Sequence, residues 1–147
     1  NNLVSFNDHN SLNKIPKIIY YLKSGKSIAI VSDAGMPSIC DPGENLIKQA
    51  KSEGINIICI PGPSAVTTAL VSSGLPSSEF IFYGFVPKKK SEREKLFLEI
   101  SYSNKTTIFF ESPYRLKKSL GELKNICGGL REDDDGTSIL LPTSFPS

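Results

Sequence analysis

Two short β-branched runs, Ser27 to Ser32 and Ile55 to Ile60, each lead into a loop of glycine and proline and then a helix signature. That repetition is the tightest constraint on the chain, because alternating strand and helix signals specify an α/β protein with a parallel sheet. Apolar runs bounded by polar residues predict strands buried on both faces. The helices are marked by their ends. Asp41 is placed to cap one, with Pro42 in its first turn, Glu44 three residues after the cap and Gly54 as its stop. Ser64 is placed to cap a short Ala/Val/Thr/Leu helix that stops near Gly74. Upstream, Leu3 to Phe6 reads as a short strand. Ile15, Ile18, Ile19 and Leu22 then give helical spacing from about Ser11 to Lys23, with Gly25 as the stop.

The texture changes after Gly74. Leu75-Pro76-Ser77-Ser78 reads as a linker and Phe80 to Phe85 as an aromatic strand. Lys88-Lys89-Lys90-Ser91 opens a charged helix with Leu96, Leu98 and Ile100 expected on its inner side. Thr106 to Phe110 reads as a strand, and Ser112-Pro113 starts a helix carrying Leu116, Leu120 and Leu123. The expected organisation is therefore an N-terminal domain at 1–76, a second domain at 77–129 and an unmatched, disordered tail at 130–147. In that tail Glu132 to Gly136 is acidic and turn-like, and Thr137 to Ser147 holds two prolines and no helix start.

Composition closes several doors. No run approaches the roughly 20 apolar residues of a membrane span. The first residues, Asn-Asn-Leu-Val-Ser, have neither a basic flank nor an apolar signal region, so a cytoplasmic protein is expected. Cys40, Cys59 and Cys127 are odd in number with no close pair, which suits small buried hydrophobes better than disulfides or zinc. His9 is the only histidine, so a multi-histidine metal site is excluded and no metal is expected. The net charge of +2 is uneven: without residues 131–147, 16 basic residues face 11 acidic ones. Such a balance suits a phosphate-rich partner, although solubility alone accounts for as much.

Chemistry concentrates in the two loops. Ser32-Asp33-Ala34-Gly35-Met36-Pro37 runs on to Asp41-Pro42-Gly43, and the second loop is Pro61-Gly62-Pro63-Ser64-Ala65. Both sit at the carboxyl ends of expected strands, where open α/β sheets bind ligands. Small residues let a ligand approach the main chain and proline limits the entropy lost on binding. Such loops suit an adenine ring and an amino-acid end, and Asp33 offers a carboxylate either to a ligand or to its own loop. The same composition also serves plain strand-to-helix turns. Neither G-x-G-x-x-G nor G-x-x-x-x-G-K-[ST] is present, which excludes the two usual phosphate cradles.

The run SDAGMPSICDPG, then PGPSA, then LPSSEFIFYGFVPKKK, then FFESPYR, resembles the RsmI-type ribosomal RNA 2′-O-methyltransferases of the tetrapyrrole-methylase superfamily over about residues 5–127. The resemblance implies a two-domain α/β methylase: an N-terminal parallel-sheet domain that binds cofactor, here without its first strand, and a partial C-terminal α/β domain. It implies a homodimer holding S-adenosyl-L-methionine between its domains. By similarity, Asp33, Ala34, Gly35, Met36 and Ile39 line the cofactor site from one side and Pro63, Ser64 and Ala65 approach from the other. His9 and Asn10 match a polar segment near the substrate, and Glu111, Ser112 and Arg115 match a polar motif of the second domain. Members of the family begin with a strand and a Pro-x-Pro-Ile-Gly-Asn loop, and continue after this stretch with an Arg-Glu-Leu-Thr-Lys motif. Neither is found here, so the chain is expected to be truncated at both ends, with a shifted reading frame or broken gene behind Leu130 to Ser147.

The implied reaction moves a methyl group from S-adenosylmethionine to the 2′-hydroxyl of a cytidine in small-subunit (16S) ribosomal RNA. The protein's task is then alignment and exclusion of water. A general base helps a ribose hydroxyl, and Asp33, His9 and Glu111 are the candidates, each also readable as a structural hydrogen-bonding group. Lys88, Lys89, Lys90 and Arg93, with Lys95 and Arg115, are the expected RNA-contacting cations, suited to phosphates rather than to base sequence. A solvated helix start accounts for these lysines at least as well, although lysines there oppose the helix dipole, which tips the balance slightly toward binding. A 2′-hydroxyl target suits RNA over DNA. Two alternatives stand beside this expectation. One is a tetrapyrrole-type small-molecule methyltransferase, opposed by the basic stretch after residue 87 and the DAGMP form of the first loop. The other is a truncated, catalytically inactive fragment, discriminated by whether it binds S-adenosylmethionine.

Overall fold

The computed structural model describes residues 3–7, 11–32, 35–40, 42–128 and 139–140. The chain divides into two units, Asn1–Ser64 and Ala65–Ser147. The first contains helices α1 (Ser11–Lys23) and α2 (Glu44–Ser52). The second contains α3 (Ala65–Ser73), β1 (Phe80–Phe85), α4 (Lys90–Tyr102), β2 (Thr106–Phe110), α5 (Pro113–Cys127) and β3 (Ile139–Leu140). The protein is thus α/β, with every described strand in the second unit.

The second unit is organised by β2. Its sequence, Thr-Thr-Ile-Phe-Phe, has no polar side to offer water, and residues 107 to 110 are all buried. It pairs in parallel with β1 (Phe80 opposite Thr106, Phe82 opposite Ile108) and with β3 (Thr107 opposite Ile139), giving the order β1-β2-β3. Alternation sends Phe109 into a cluster with Val86, Phe97, Ile100 and Leu123, the face covered by α4 and α5. Ile108 and Phe110 face the opposite way, against Val66 and Leu70 of α3 and Phe82 of β1. Phe110 meets Phe82 edge-on at 4.9 Å between ring centres, a favoured aromatic geometry.

Helix registers follow from the same packing. In α4 the buried residues are Arg93, Phe97, Ile100 and Ser101, spaced by four and three along one stripe. Leu98, expected inside, is one residue past Phe97 and so turned about 100° toward solvent. In α5, Ser112 stands at the N-cap position through its carbonyl, without a side-chain cap hydrogen bond. Pro113 follows in the first turn, and Ser119 and Leu123 are buried while Leu120 is exposed.

The helix at 65–73 packs on the second-unit sheet, so the contacts divide at Ser64/Ala65, twelve residues before the change of texture near residue 77. Ile139–Leu140 pairs with β2 as a strand, while 129–138 and 141–147 lie outside the described residues.

In the first unit, Ile15 and Ile19 of α1 pack against Leu46 and Ala50 of α2. Lys23 and Glu53 close the pair at 2.5 Å. The runs at 27–32 and 55–60, expected as strands buried on both faces, have no strand pairing among the described residues. Ile30, Ile55 and Ile57 lie on the helix pair, whereas Val31, Ile58 and Ile60 are about 80% exposed. One layer of helices covers one side of an extended segment and leaves the other open. Leu3 to Phe6 likewise forms no strand among the described residues, although Phe6 joins the helical cluster. Cys40 and Cys59, expected inside, are exposed because they lie in and beside the loops, and Cys127 is half-buried. No helix among the described residues is long and apolar enough to cross a membrane.

Candidate functional site

The two glycine- and proline-rich loops of the first unit meet. A Cβ on Gly35 would stand 3.6 Å from the Pro63 carbonyl oxygen, and one on Gly62 would stand 3.7 Å from Met36 Sδ. The loops are close because each leaves an extended segment lying on the same helix pair. Gly35 has φ +79°, a conformation that glycine adopts without strain. Ser38 and Cys40 take φ of 69° and 55° without being glycine, so the loop stores strain between Gly35 and the start of α2. Met36 is half-buried, and Ile39, Pro63 and Gly35 are exposed. Ser64 is half-buried and Ala65 opens α3. Asp33 and Ala34 lie outside the described residues, as do His9 and Asn10.

The loop runs into α2 through Gly43; Asp41, the expected cap, lies outside the described residues. Gly43 is the N-cap, with φ +152°, and accepts a hydrogen bond from Ile47 N–H at 2.9 Å. A Cβ there would stand 2.1 Å from Ser38 Oγ. Gly43→Ala is therefore expected to cost about 1–3 kcal/mol through backbone strain and displacement of Ser38. Thermal unfolding of the variant checks it.

At the carboxyl ends of β1 and β2 a polar cluster joins the second unit's loops. Arg93 donates to Glu122 twice, from Nε at 2.5 Å and Nη2 at 2.9 Å, and its Nη1 donates to the carbonyls of Lys88 (3.0 Å) and Pro87 (3.3 Å). Arg115 donates to the Val86 carbonyl (3.0 Å) and the Pro87 carbonyl (3.3 Å) and pairs with Glu111 at 2.6 Å. Glu111 also accepts from Ser112 N–H at 2.7 Å and from Ser119 Oγ at 2.5 Å. Two arginines from two helices thus hold three successive carbonyls, those of residues 86 to 88.

This geometry gives structural surroundings to three residues expected at the site. Arg93, expected among the RNA-contacting cations, is only 4% exposed and turns its guanidinium onto Glu122 and the carbonyls of Pro87 and Lys88. Arg115 spends its guanidinium on the loop and on Glu111. The Glu111 side chain is 1% exposed and both its oxygens accept hydrogen bonds within the cluster, a structural engagement that competes with the general-base role expected of it. Lys88, Lys89, Lys90 and Lys95 remain exposed as expected, with Lys89 near Glu92 (3.4 Å) and Lys90 near Glu94 (3.6 Å). The Arg93 hydrogen bonds hold the Glu122 carboxyl below its ordinary range, desolvation opposes them, and the charges of Arg93, Lys118 and Lys90 add to the lowering. The same bonds raise Arg93. Burial, then the hydrogen bond to Glu99 at 2.8 Å, raises Tyr83. Sequence reasoning missed Glu122, because an ion pair 29 residues apart leaves no local pattern.

Comparison with known proteins matches residues 5–139 to the family Tetrapyrrole (Corrin/Porphyrin) Methylases. The chain is 48% identical over 126 residues to the ribosomal RNA small subunit methyltransferase I of Thermotoga maritima, covering 86% of this chain and 56% of that protein. Against the protein of the same name from Vibrio cholerae it is 46% identical over 128 residues, 87% of this chain and 44% of the other. Against that from Halalkalibacterium halodurans it is 46% identical over 126 residues, 86% and 44%. The chain spans about half the length of the curated relatives it matches.

Proposed function

The chain belongs to the tetrapyrrole (corrin/porphyrin) methylase family, and on that footing we propose that it acts in S-adenosylmethionine-dependent 2′-O-methylation of a cytidine in small-subunit ribosomal RNA. The observation that carries the proposal is the contact of the two loops, Gly35 against the Pro63 carbonyl and Met36 against Gly62. Their exposed main chain and small residues fit a ligand bound through N–H and C=O groups. The names of the relatives support ribosomal RNA as the substrate.

In this reading Gly35, Met36 and Ile39, together with Asp33 and Ala34 of the same loop, hold the donor from one side, and Pro63, Ser64 and Ala65 from the other. S-adenosylmethionine, when bound, supplies an electrophilic methyl group on its sulfonium. The protein's residues orient the ribose hydroxyl in line with that group and exclude water. Asp33 and His9 remain the candidates for accepting the hydroxyl proton, since Glu111 is occupied. Lys88, Lys89 and Lys90 attract the phosphates. The proposal includes a cytoplasmic location and a homodimer, and needs no metal.

Calorimetric titration with S-adenosylhomocysteine tests it. Saturable binding is expected, lost in Gly35→Val, where a branched side chain meets both the positive φ and the Pro63 carbonyl. No binding by the parent chain would sink the proposal that these loops hold the donor.

A further inference from the structure

Tyr114 is 99% exposed, the most open aromatic among the described residues, yet its backbone is firmly held. It follows Pro113 in the first turn of α5, and the next two N–H groups, those of Arg115 and Leu116, both donate to the Ser112 carbonyl at 2.9 and 3.0 Å. A free ring on a fixed backbone is poor material for a core and good material for stacking.

Its neighbours are basic. Arg115 ties this turn to the carbonyls of Val86 and Pro87, directly before Lys88-Lys89-Lys90. Lys117 and Lys118 stand three and four residues after Tyr114, on its side of α5, and both are exposed. The Arg93–Glu122 ion pair joins the turn after Lys90 on α4 to the turn after Lys118 on α5, which brings the two rows of lysine together. The acids on that face are weak opponents. Glu92 and Glu94 make exposed, solvent-screened pairs with Lys89 and Lys90. Glu122 is neutralised by Arg93 and Glu111 by Arg115.

We propose that the face where the first turns of α4 and α5 meet is a platform for single-stranded RNA, with the Tyr114 ring stacked on an unpaired base and Lys88, Lys89, Lys90, Lys117 and Lys118 on the flanking phosphates. The identity of the RNA rests on the methyl-transfer reading above; the platform itself rests on this surface. A lone aromatic set among cations is the arrangement that holds single strands without reading their sequence. In a duplex the bases are already stacked and leave the ring no partner. A protein partner is disfavoured, because lysine is depleted from the centres of protein interfaces.

Fluorescence anisotropy of the 147-residue chain with a labelled oligouridine, and with a hairpin duplex, tests the platform. Tyr114→Ala is expected to weaken oligouridine binding about 5- to 100-fold, the range of one base stacking on an aromatic ring. Tyr114→Phe, which keeps the ring, is expected to bind like the parent. Replacing Lys88, Lys89 and Lys90 together by alanine is expected to lower the slope of log affinity against log salt by about 2, whereas Tyr114→Ala leaves that slope unchanged. Oligouridine binding that is indifferent to Tyr114→Ala, or absent in the parent, overturns the platform, as does preference for the duplex. S-adenosylhomocysteine titration separates the two proposals. Saturable binding with RNA affinity indifferent to Tyr114→Ala overturns the platform alone. RNA affinity that depends on Tyr114, without S-adenosylhomocysteine binding, overturns the methyl-transfer reading alone.

Discussion

Arg93→Ala is expected to destabilise the second unit by about 3–5 kcal/mol, the cost of breaking a buried ion pair from one side. The guanidinium is 4% exposed and makes four hydrogen bonds: two to Glu122 and one each to the carbonyls of Pro87 and Lys88. Alanine leaves the Glu122 carboxylate without its Arg93 donors and the Lys88 carbonyl without its own, while the Pro87 carbonyl keeps Arg115. The double variant Arg93→Met/Glu122→Leu removes the stranded charge together with its cause, and is expected to lose clearly less than the single one. Urea unfolding of the singles and the double measures this directly. If the two single losses simply add, the pair is not coupled and the account fails.

The same pair sets a pH dependence. Glu122 lies below its ordinary 4.5 in the folded chain, chiefly through the Arg93 hydrogen bonds. Its contribution is therefore complete above 4.5 and is lost as pH falls through the lower folded value. Glu122→Gln is expected to flatten that acid limb while lowering stability at neutral pH.

Glu111→Ala is the second large effect, about 3 kcal/mol, from removing a buried charged acceptor with three donors. Ser112 N–H, Ser119 Oγ and Arg115 all lose their partner. Arg115, 29% exposed, recovers part of the loss from water, which keeps the figure below that for Arg93. The result separates a structural role from a catalytic one. The structure predicts a lower unfolding midpoint with S-adenosylhomocysteine binding kept by the folded fraction. A variant as stable as the parent that loses only turnover would restore Glu111 as the base.

Much of the architecture is legible along the chain, for identifiable reasons. Helix α5 is announced by Ser112-Pro113, because a cap and a first-turn proline are local chemistry. β2 is announced by Thr-Thr-Ile-Phe-Phe, because only a strand with cover on both sides tolerates that composition. The contact of the Gly35 and Pro63 loops follows from their places at the ends of neighbouring extended segments. What depends on distant partners is not legible. Arg93 reads as one more cation in a basic stretch, and only Glu122, a helix away in space and 29 residues away in sequence, makes it structural. Leu98 and Phe97 are equally apolar, and the choice between them is made by the face α4 turns toward Phe109. Val31 and Ile58 read as buried because strands of that composition usually are; here the first unit covers one side only.

β2 belongs to two cores at once, with Phe109 on the side of α4 and α5 and Phe110 on the side of α3. A strand shared in this way cannot be loosened on one side without disturbing the other, so the described residues of this unit offer no soft layer between its two cores. Whatever flexibility it has is pushed to the rims of the sheet, and two arginines stiffen the rim at residues 86 to 88. A nucleic acid arriving there would meet a surface that does not conform to it. If RNA is the partner, as proposed, the adjustment needed for a fit comes from the RNA.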